Sequence, residues 1–224
     1  MAREWRKVWV IVHKDVLTEL RTRDVVGSVL VFALLVIVIF NFAFDVRGEA
    51  VALVAPGVLW VTLTFAGVLG FNRAFVLEKD RGCLEGLMLC PIDRGTIYWG
   101  KMAASLTFML VVEAIVLPLF SIFFNLPLFM PSLLLIAFIS TVGFAAVGTL
   151  FSAIAVHTRA REIMLPLLFF PVVVPVVIAA VEGTGMVLAV APWASLVPWL
   201  QLVVAFDIIF LAVSWLLFEY VLEE

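Results

Sequence analysis

The sequence predicts an all-α protein that crosses a lipid bilayer about six times. Of its 224 residues, 65% are hydrophobic and only 14% are charged, and the mean hydropathy is +1.24. A soluble domain carries roughly 25% charged residues, so lipid rather than water is the solvent for most of these side chains. Two further observations support this class: apolar runs of about 20 residues, the length that spans hydrocarbon, and an uneven placement of the basic residues.

Six apolar segments are long enough to be transmembrane helices. They cover residues 25–44, 50–71, 102–124, 132–156, 163–181 and 197–218, within a transmembrane domain of 25–219. Residues 1–24 precede them, a polar stretch over 72–101 separates the second from the third, and 220–224 form a tail. The start of the sixth span is poorly defined, because residues 186–197 are also apolar. A short re-entrant or interfacial segment over these residues is an open alternative.

The basic residues predict which way the chain lies in the membrane. Thirteen of the fourteen lysines and arginines fall in residues 1–24, in 72–101 or in the connection between spans four and five, and only Arg47 lies in an alternate connection. Connections rich in Lys and Arg stay on the cytoplasmic side. We therefore expect a multi-pass protein of the cell inner membrane, with both termini and the 72–101 stretch in the cytoplasm.

The N-terminal segment, residues 1–24, is predicted to form an amphipathic helix that lies on the cytoplasmic membrane surface. Apolar residues recur at helical spacing between the basic ones: Trp5, Val8, Trp9, Val12, Val16 and Leu20. A helix of this kind buries its apolar face at the headgroup level of the lipid. The alternative is a basic orientation signal with no further role.

A second organised segment is predicted between residues 78 and 91. Leu84, Leu87 and Met88 form a small apolar face beside charged residues, and Pro91 ends the helix. A short helix exposed to the cytosol between two spans is suited to bind a groove on another protein. An ordinary solvated loop is the alternative, although the polar stretch that contains this segment is long for a connection in a compact bundle.

The chain lacks the motifs of an enzyme. It has no G-x-x-x-x-G-K-[ST] loop to hold nucleotide phosphates and no H-E-x-x-H pair for a metal. Its two histidines, His13 and His157, both fall on the predicted cytoplasmic side and far apart in sequence. The net charge of −3 does not indicate nucleic acid as a partner. We expect no catalytic residue, no metal site and no directly bound cofactor.

Two carboxyl groups lie within predicted spans. Glu113 and Asp207 each fall near the middle of a span and are expected at similar depth, with no Lys or Arg at that depth to neutralise them. Ionisable groups inside a membrane are costly and are therefore candidates for function. The functional hypothesis is a polar contact within a moving bundle or at a subunit interface. The structural alternative is a protonated carboxyl group bonded to a neighbouring hydroxyl or backbone carbonyl.

A known family is recognisable in the stretch from Phe75 to Lys101. The residues E-K-D-R-G-C-L-E-G-L from Glu78, followed by a proline, an arginine and a Gly-Lys pair, match the pattern E-x-x-x-G-x-L-E-G-L of that family. The turn R-A-R-E-I-M-L-P-L-L-F-F-P from Arg159 and the basic N-terminal opening agree with it too, apart from Val16, where leucine is more usual. Over essentially its whole length, the chain resembles the haem exporter protein B (CcmB) family of cytochrome c maturation.

The resemblance implies an ABC-2-type, exporter-like permease. It implies a separate cytoplasmic ATPase similar to CcmA, which binds ATP-Mg, together with membrane subunits similar to CcmC and CcmD. Haem is then handled by the complex, and ATP hydrolysis releases a haem-loaded chaperone similar to CcmE. A second copy of this chain is a further candidate partner, because half-transporters usually pair.

The resemblance also assigns candidate residues for coupling to the ATPase. The predicted cytoplasmic coupling helix supplies Glu78, Gly82, Leu84, Glu85, Gly86, Leu87 and Pro91, and a second cytoplasmic contact consists of Arg159, Arg161 and Glu162. Two other functions remain open from the residues alone. One is the permease of another ABC-2-type exporter that moves lipid or drug, and the other is a non-transporting scaffold for haem-handling proteins.

Overall fold

The computed structural model describes residues 2–22, 24–44, 49–80, 86, 92–156, 158 and 160–221. Over these residues the chain forms seven long α-helices and no strand, which confirms the predicted all-α class. The helices are α1 (Ala2–Thr22), α2 (Asp24–Phe44), α3 (Glu49–Asp80), α4 (Arg94–Phe124), α5 (Pro131–Val156), α6 (Arg161–Leu188) and α7 (Trp193–Val221).

Six of the described helices, α2 to α7, are long and apolar enough to cross a membrane. Their apolar spans are Val26–Ala43, Leu53–Asn72, Arg94–Phe124, Pro131–Val156, Glu162–Leu188 and Trp193–Val221. Helix α5 is the most buried of the six, and α2 and α7 are the least buried. Helix α2 packs on α3 and α4, and α7 packs on α5 and α6, so these two helices form opposite edges of the bundle.

Successive long helices run in opposite directions, which gives the bundle two chemically different ends. One end, called here the charged end, carries the start of α2, α4 and α6 and the close of α3, α5 and α7. Helix α1 packs on α4 and joins the bundle at this end. The far end carries the end of α2, the start of α3 and the connections around Asn125 and Val190. The two ends therefore correspond to the two groups of connections that the sequence distinguishes by charge.

Aromatic side chains fill the core between α3, α5 and α6. The ring centroid of Phe144 lies 6.2 Å from that of Trp60 and 5.9 Å from that of Phe169, and Phe169 lies 5.7 Å from Phe71. These separations fall in the range in which aromatic pairs stabilise each other beyond the area they bury. Gly148 of α5 faces the ring of Phe71 so closely that a β-carbon would collide with it. A small residue here lets α3 and α5 approach each other, as is common between membrane helices.

Two stretches differ from the prediction. The polar stretch 72–101 is helical at both its ends, because α3 continues to Asp80 and α4 already begins at Arg94. Ile97 and Tyr98 are buried there, so packing against other helices keeps these early turns of α4 in place. The apolar piece 186–197 contains the end of α6, a turn and the start of α7, not a separate re-entrant segment.

Candidate functional site: the charged end of the bundle

Most of the residues predicted to couple to an ATPase lie outside the described part of the chain. These are Gly82, Leu84, Glu85, Leu87, Pro91 and Arg159. Glu78 belongs to the last turn of α3, Arg161 and Glu162 begin α6, and Gly86 and Glu162 are exposed. The described residues therefore show how the helices that carry the predicted segments are held together, and not the predicted coupling helix itself.

Lys101 is the most unusual side chain at this end, because it is charged yet only 2% exposed. Its Nζ lies 2.9 Å from Asp15 Oδ2 of α1. The same Nζ lies 5.1 Å from the centroid of the Phe75 ring of α3. A buried ammonium group requires a paired anion, and an aromatic face adds further electrostatic attraction. Lys101 therefore ties α4 to α1 and α3 at one point.

Gly100, the residue before Lys101, sets the distance between α1 and α4. A β-carbon built on Gly100 would come within 2.8 Å of Ile11 Cβ and Cγ2. Ile11 is itself buried, so the two helices are in tight contact here. Any larger residue at position 100 forces α1 away from α4. The Gly-Lys pair of the family pattern thus has a physical basis, in which glycine permits the contact and lysine fixes it by charge.

Helix α7 is joined to the start of α4 at the same end. The buried ring of Tyr98 lies 5.3 Å from the ring of Phe218, and its hydroxyl group lies 3.5 Å from the carbonyl oxygen of Ala146. Arg94 Nη1 donates a hydrogen bond of 3.0 Å to the carbonyl oxygen of Glu219. A hydrogen bond from a guanidinium group to the last turn of a helix also matches the negative end of its dipole.

A proline explains how α3 contacts the beginning of α6. Pro166 has no N–H, so the carbonyl oxygen of Glu162 loses its helical donor. Asn72 Nδ2 of α3 donates to that oxygen over 3.4 Å. Ser152 Oγ of α5 donates a hydrogen bond of 2.6 Å to the carbonyl oxygen of Phe71, the residue before Asn72 in α3. The structure thereby brings Glu162, of the second predicted contact, next to the helix that leads to the first.

The two intramembrane carboxyl groups flank α5 at nearly the same level. Thr141 Oγ1 of α5 donates a hydrogen bond to Glu113 Oε1 of α4. Asp207 Oδ1 of α7 lies against Gly143, where a β-carbon would collide with it. Asp207 Oδ1 has no hydrogen-bond partner among the described residues, although the residue is only 6% exposed. Glu113 thus has the hydrogen bond of the structural alternative, whereas Asp207 Oδ1 packs against Gly143 without such a bond among the described residues.

Several residues at the charged end were not predicted as site residues, although Lys101 belongs to the Gly-Lys pair of the family pattern. Asp15, Phe75, Tyr98 and Lys101 owe their importance to contacts between helices that are distant in sequence. The signal available for Lys101 was its place beside Gly100 and an apolar run, where an unpaired lysine is costly. Nothing in the pattern identifies Asp15 as its partner, because the basic residues around Asp15 suggest local pairing instead.

The described residues at the charged end form contacts between helices. These contacts join α1 to the ends of α3, α4, α6 and α7 through the Lys101–Asp15 ion pair, hydrogen bonds and packed rings. Within the described ranges, no three His, Cys, Asp or Glu side chains come together as ligands for a metal ion. Helix ends linked in this way constrain one another's positions, because close-packed interiors have low compressibility and transmit strain.

The comparison with known proteins decides the family. The model of the CcmB protein family matches residues 6–223, almost the entire chain. The chain belongs to the CcmB family. This confirms the resemblance seen in the residues, and together with the six apolar helices it makes the chain a multi-pass membrane protein.

Individual proteins that are similar to this chain agree with the family match. It is 27% identical to heme exporter protein B of Rhodobacter capsulatus over 175 residues, which cover 77% of this chain and 79% of that protein. It is 28% identical over 159 residues to heme exporter protein B of Paracoccus denitrificans, covering 70% and 72% of the two chains. With heme exporter protein B of Haemophilus influenzae it shares 25% identity over 180 residues, 79% of this chain and 81% of the other.

Proposed function

We propose that this protein is the membrane permease subunit of an ABC-type complex for cytochrome c maturation. In this complex it couples ATP hydrolysis by a separate ATPase subunit to haem delivery and to release of a haem-loaded chaperone. The observation that carries the proposal is the family match over residues 6–223, whose relatives bear the name heme exporter protein B. The six apolar helices and the absence of any nucleotide-binding motif in the sequence support a subunit that depends on a partner for energy.

The charged end faces the cytoplasm in this proposal. In the sequence, thirteen of the fourteen basic residues lie in 1–24, in 72–101 or in the connection between predicted spans four and five, and Arg47 lies between α2 and α3. Positive charge near the ends of membrane spans is kept on the cytoplasmic side. The inner membrane of the cell is therefore the proposed location, with the N-terminal helix and the C-terminal tail inside.

The ATPase binds at the charged end, through the segment from Glu78 to Pro91 and the contact formed by Arg159, Arg161 and Glu162. Helices α3 and α4 flank the first segment, and α6 begins at the second. The hydrogen bond from Asn72 to the Glu162 carbonyl supports a single surface made of both, because it holds α3 beside the start of α6. A short exposed helix in a groove of the partner is a common mode of recognition.

The proposed partners of this subunit are those that the family resemblance implies. An ATPase similar to CcmA binds ATP-Mg, membrane subunits similar to CcmC and CcmD handle haem on the outer side, and a chaperone similar to CcmE carries it. This chain contributes no haem ligand in the proposal, because His13 and His157 both belong to the cytoplasmic side and no histidine occurs on the other. Membrane lipid surrounds the exposed faces of α2 and α7.

Co-purification tests the proposal. The tagged protein is expected to retain a small soluble ATPase, and Glu85→Lys is expected to release that ATPase while the protein stays in the membrane. Glu182→Lys is the matched control, because Glu182 is an exposed carboxylate on α6 near the far end. An ATPase that remains bound and active after deletion of residues 78–91 would overturn the coupling assignment.

A gene deletion distinguishes the proposal from the two alternatives. Loss of c-type cytochromes with other membrane traffic intact favours this function over export of lipid or drug. A scaffold without a transport role predicts that ATP turnover in the complex is indifferent to substitutions within residues 78–101. Sensitivity of that turnover to Glu85→Lys therefore argues for the permease.

A further inference from the structure

Helix α1 is attached to the bundle by a charged contact where an apolar one would suffice. Lys101 is only 2% exposed, and its Nζ lies 5.1 Å from the centroid of the Phe75 ring, which belongs to the same buried core cluster as Ile11 and Tyr98. Methionine has a similar volume and would fill the same space without an ion pair. Replacing buried ion pairs by apolar residues is often neutral or even stabilising. Stability alone therefore does not account for a lysine at position 101.

The ion pair adds a directional constraint to the register between two helices. The ammonium group of Lys101 approaches a single carboxylate oxygen of Asp15 at 2.9 Å. Sliding α1 along α4 by one turn separates the two groups by about 5 Å, since that is the pitch of a helix, and leaves a charge buried without its partner. Apolar surfaces tolerate such a displacement much better, because the hydrophobic effect has no direction. The close contact between Gly100 and Ile11 fixes the same crossing point.

The Asp15–Lys101 ion pair also lies beside the helices nearest to the proposed ATPase surface, α3 and α4. Phe75 stands in the last two turns of α3, which ends at Asp80, and Lys101 stands in the first two turns of α4, which begins at Arg94. The Phe75 ring of α3 contacts the ammonium group of Lys101 of α4. A displacement of the end of either helix therefore acts on that group and through it on Asp15. On its outer side α1 exposes Trp5 and Trp9, at 70% and 67%. These side chains are suited to hold α1 at the membrane surface.

We infer that α1 is a working part of the coupling apparatus and that the Asp15–Lys101 ion pair is the joint through which it acts. This inference rests on the proposed function. When the ATPase displaces the ends of α3 and α4, α1 moves with them in a fixed register, braced against the lipid headgroups. Asp15 and Lys101 are positioning residues in this scheme, since neither contacts ATP, haem or the chaperone.

The test uses the intact complex, with its ATPase and haem-loaded chaperone, and measures chaperone released per ATP hydrolysed. The variant D15N/K101M removes both charges together, so neither is left buried without a partner. We expect it to bind the ATPase and to hydrolyse ATP within about twofold of wild type, and to release at least about tenfold less chaperone per ATP. The charge-swapped variant D15K/K101D is expected to restore most of the release.

The control is Lys14→Met, because Lys14 also approaches Asp15 Oδ1, at 3.1 Å, but from the exposed side. It is expected to couple like wild type. Wild-type coupling by D15N/K101M would overturn the inference while leaving the proposed function intact. Failure of D15N/K101M and of the charge swap to accumulate in the membrane would also overturn it, because the pair would then be a folding element. A wild-type chain that binds no ATPase at all would instead contradict the proposed function.

Discussion

Ile11 Cβ of α1 lies 2.8 Å from the point that a β-carbon on Gly100 of α4 would occupy. Real β-carbons do not tolerate a neighbour at this distance, so the contact exists only because residue 100 is glycine. The contact stands one residue from the buried Lys101–Asp15 ion pair. Together they fix where the N-terminal helix crosses the bundle, through the Gly-Lys pair of the family pattern.

Gly100→Ala is expected to weaken the attachment of α1. The added methyl group meets the buried, branched Ile11, and overpacking of this kind costs about 1–3 kcal/mol. We expect a lower thermal midpoint in detergent and faster proteolysis of the N-terminal helix. Gly57→Ala in α3 is the control, since nothing lies within 4 Å of a β-carbon there. Equal effects of the two substitutions would show that α1 does not pack as described.

Gly143→Ala is expected to be destabilising because of Asp207. Its β-carbon collides with Asp207 Oδ1, at a cost of about 1–3 kcal/mol. Asp207→Ala removes the oxygen and should therefore relieve the cost in the double variant, so that the two changes are clearly non-additive. Thermal unfolding of the four proteins in detergent measures this. Gly185→Ala, whose nearest neighbour would be 4.0 Å away, should combine additively with Asp207→Ala.

The hydrogen bond from Thr141 to Glu113 predicts energetic coupling across α4 and α5. We expect a double-mutant cycle of Glu113→Leu and Thr141→Val, measured on the free energy of unfolding, to give a coupling energy of about 0.5–2 kcal/mol. This is the range found for hydrogen bonds between membrane helices. Glu113→Gln keeps an acceptor oxygen and should keep most of the coupling. The control is Thr107→Val, because the Thr107 hydroxyl group donates to Ala103 of its own helix. Additivity in the Thr141 cycle would contradict the described contact.

Val190 occupies a conformation that suits its side chain poorly. Its φ is 54°, in the left-handed region, where a β-branched residue is strained. Val190→Gly is expected to raise the stability by about 1 kcal/mol, and Val190→Asn by somewhat less. Val190→Ala is the control, since alanine gains little at this φ. Thermal midpoints decide the matter, and a glycine variant less stable than wild type would show that the turn between α6 and α7 is built differently.

The sequence predicts the existence and type of the long helices well, because hydropathy alone identifies a span of about 20 residues. It also predicts that Glu113 and Asp207 share one depth, as their contacts with Thr141 and Gly143 of α5 indicate. The helix ends at the charged end were predicted poorly. The second span was predicted to end at residue 71 and the third to begin at residue 102, whereas α3 continues to Asp80 and α4 begins at Arg94, where contacts with α1 and α7 keep part of the polar stretch helical.

The pairing of side chains between helices could not be predicted from one sequence. Asp15 has Lys14 beside it, and only the fold shows that its carboxylate also reaches Lys101. The bond from Asn72 to Glu162 likewise depends on a carbonyl group that Pro166 leaves without a donor, and on α3 passing it. The coupling helix over 78–91 remains a prediction, since of its residues beyond Asp80 only Gly86 is described.

The sidedness of the bundle is the claim on which the account depends most. It is tested by cysteine labelling in a Cys83→Ser, Cys90→Ser background, with single cysteines at Gly86 and at Ala189, which are exposed at the charged and far ends. A membrane-impermeant maleimide is predicted to label position 86 only in inside-out vesicles and position 189 only in right-side-out vesicles. Labelling of position 86 from the outside would contradict the account.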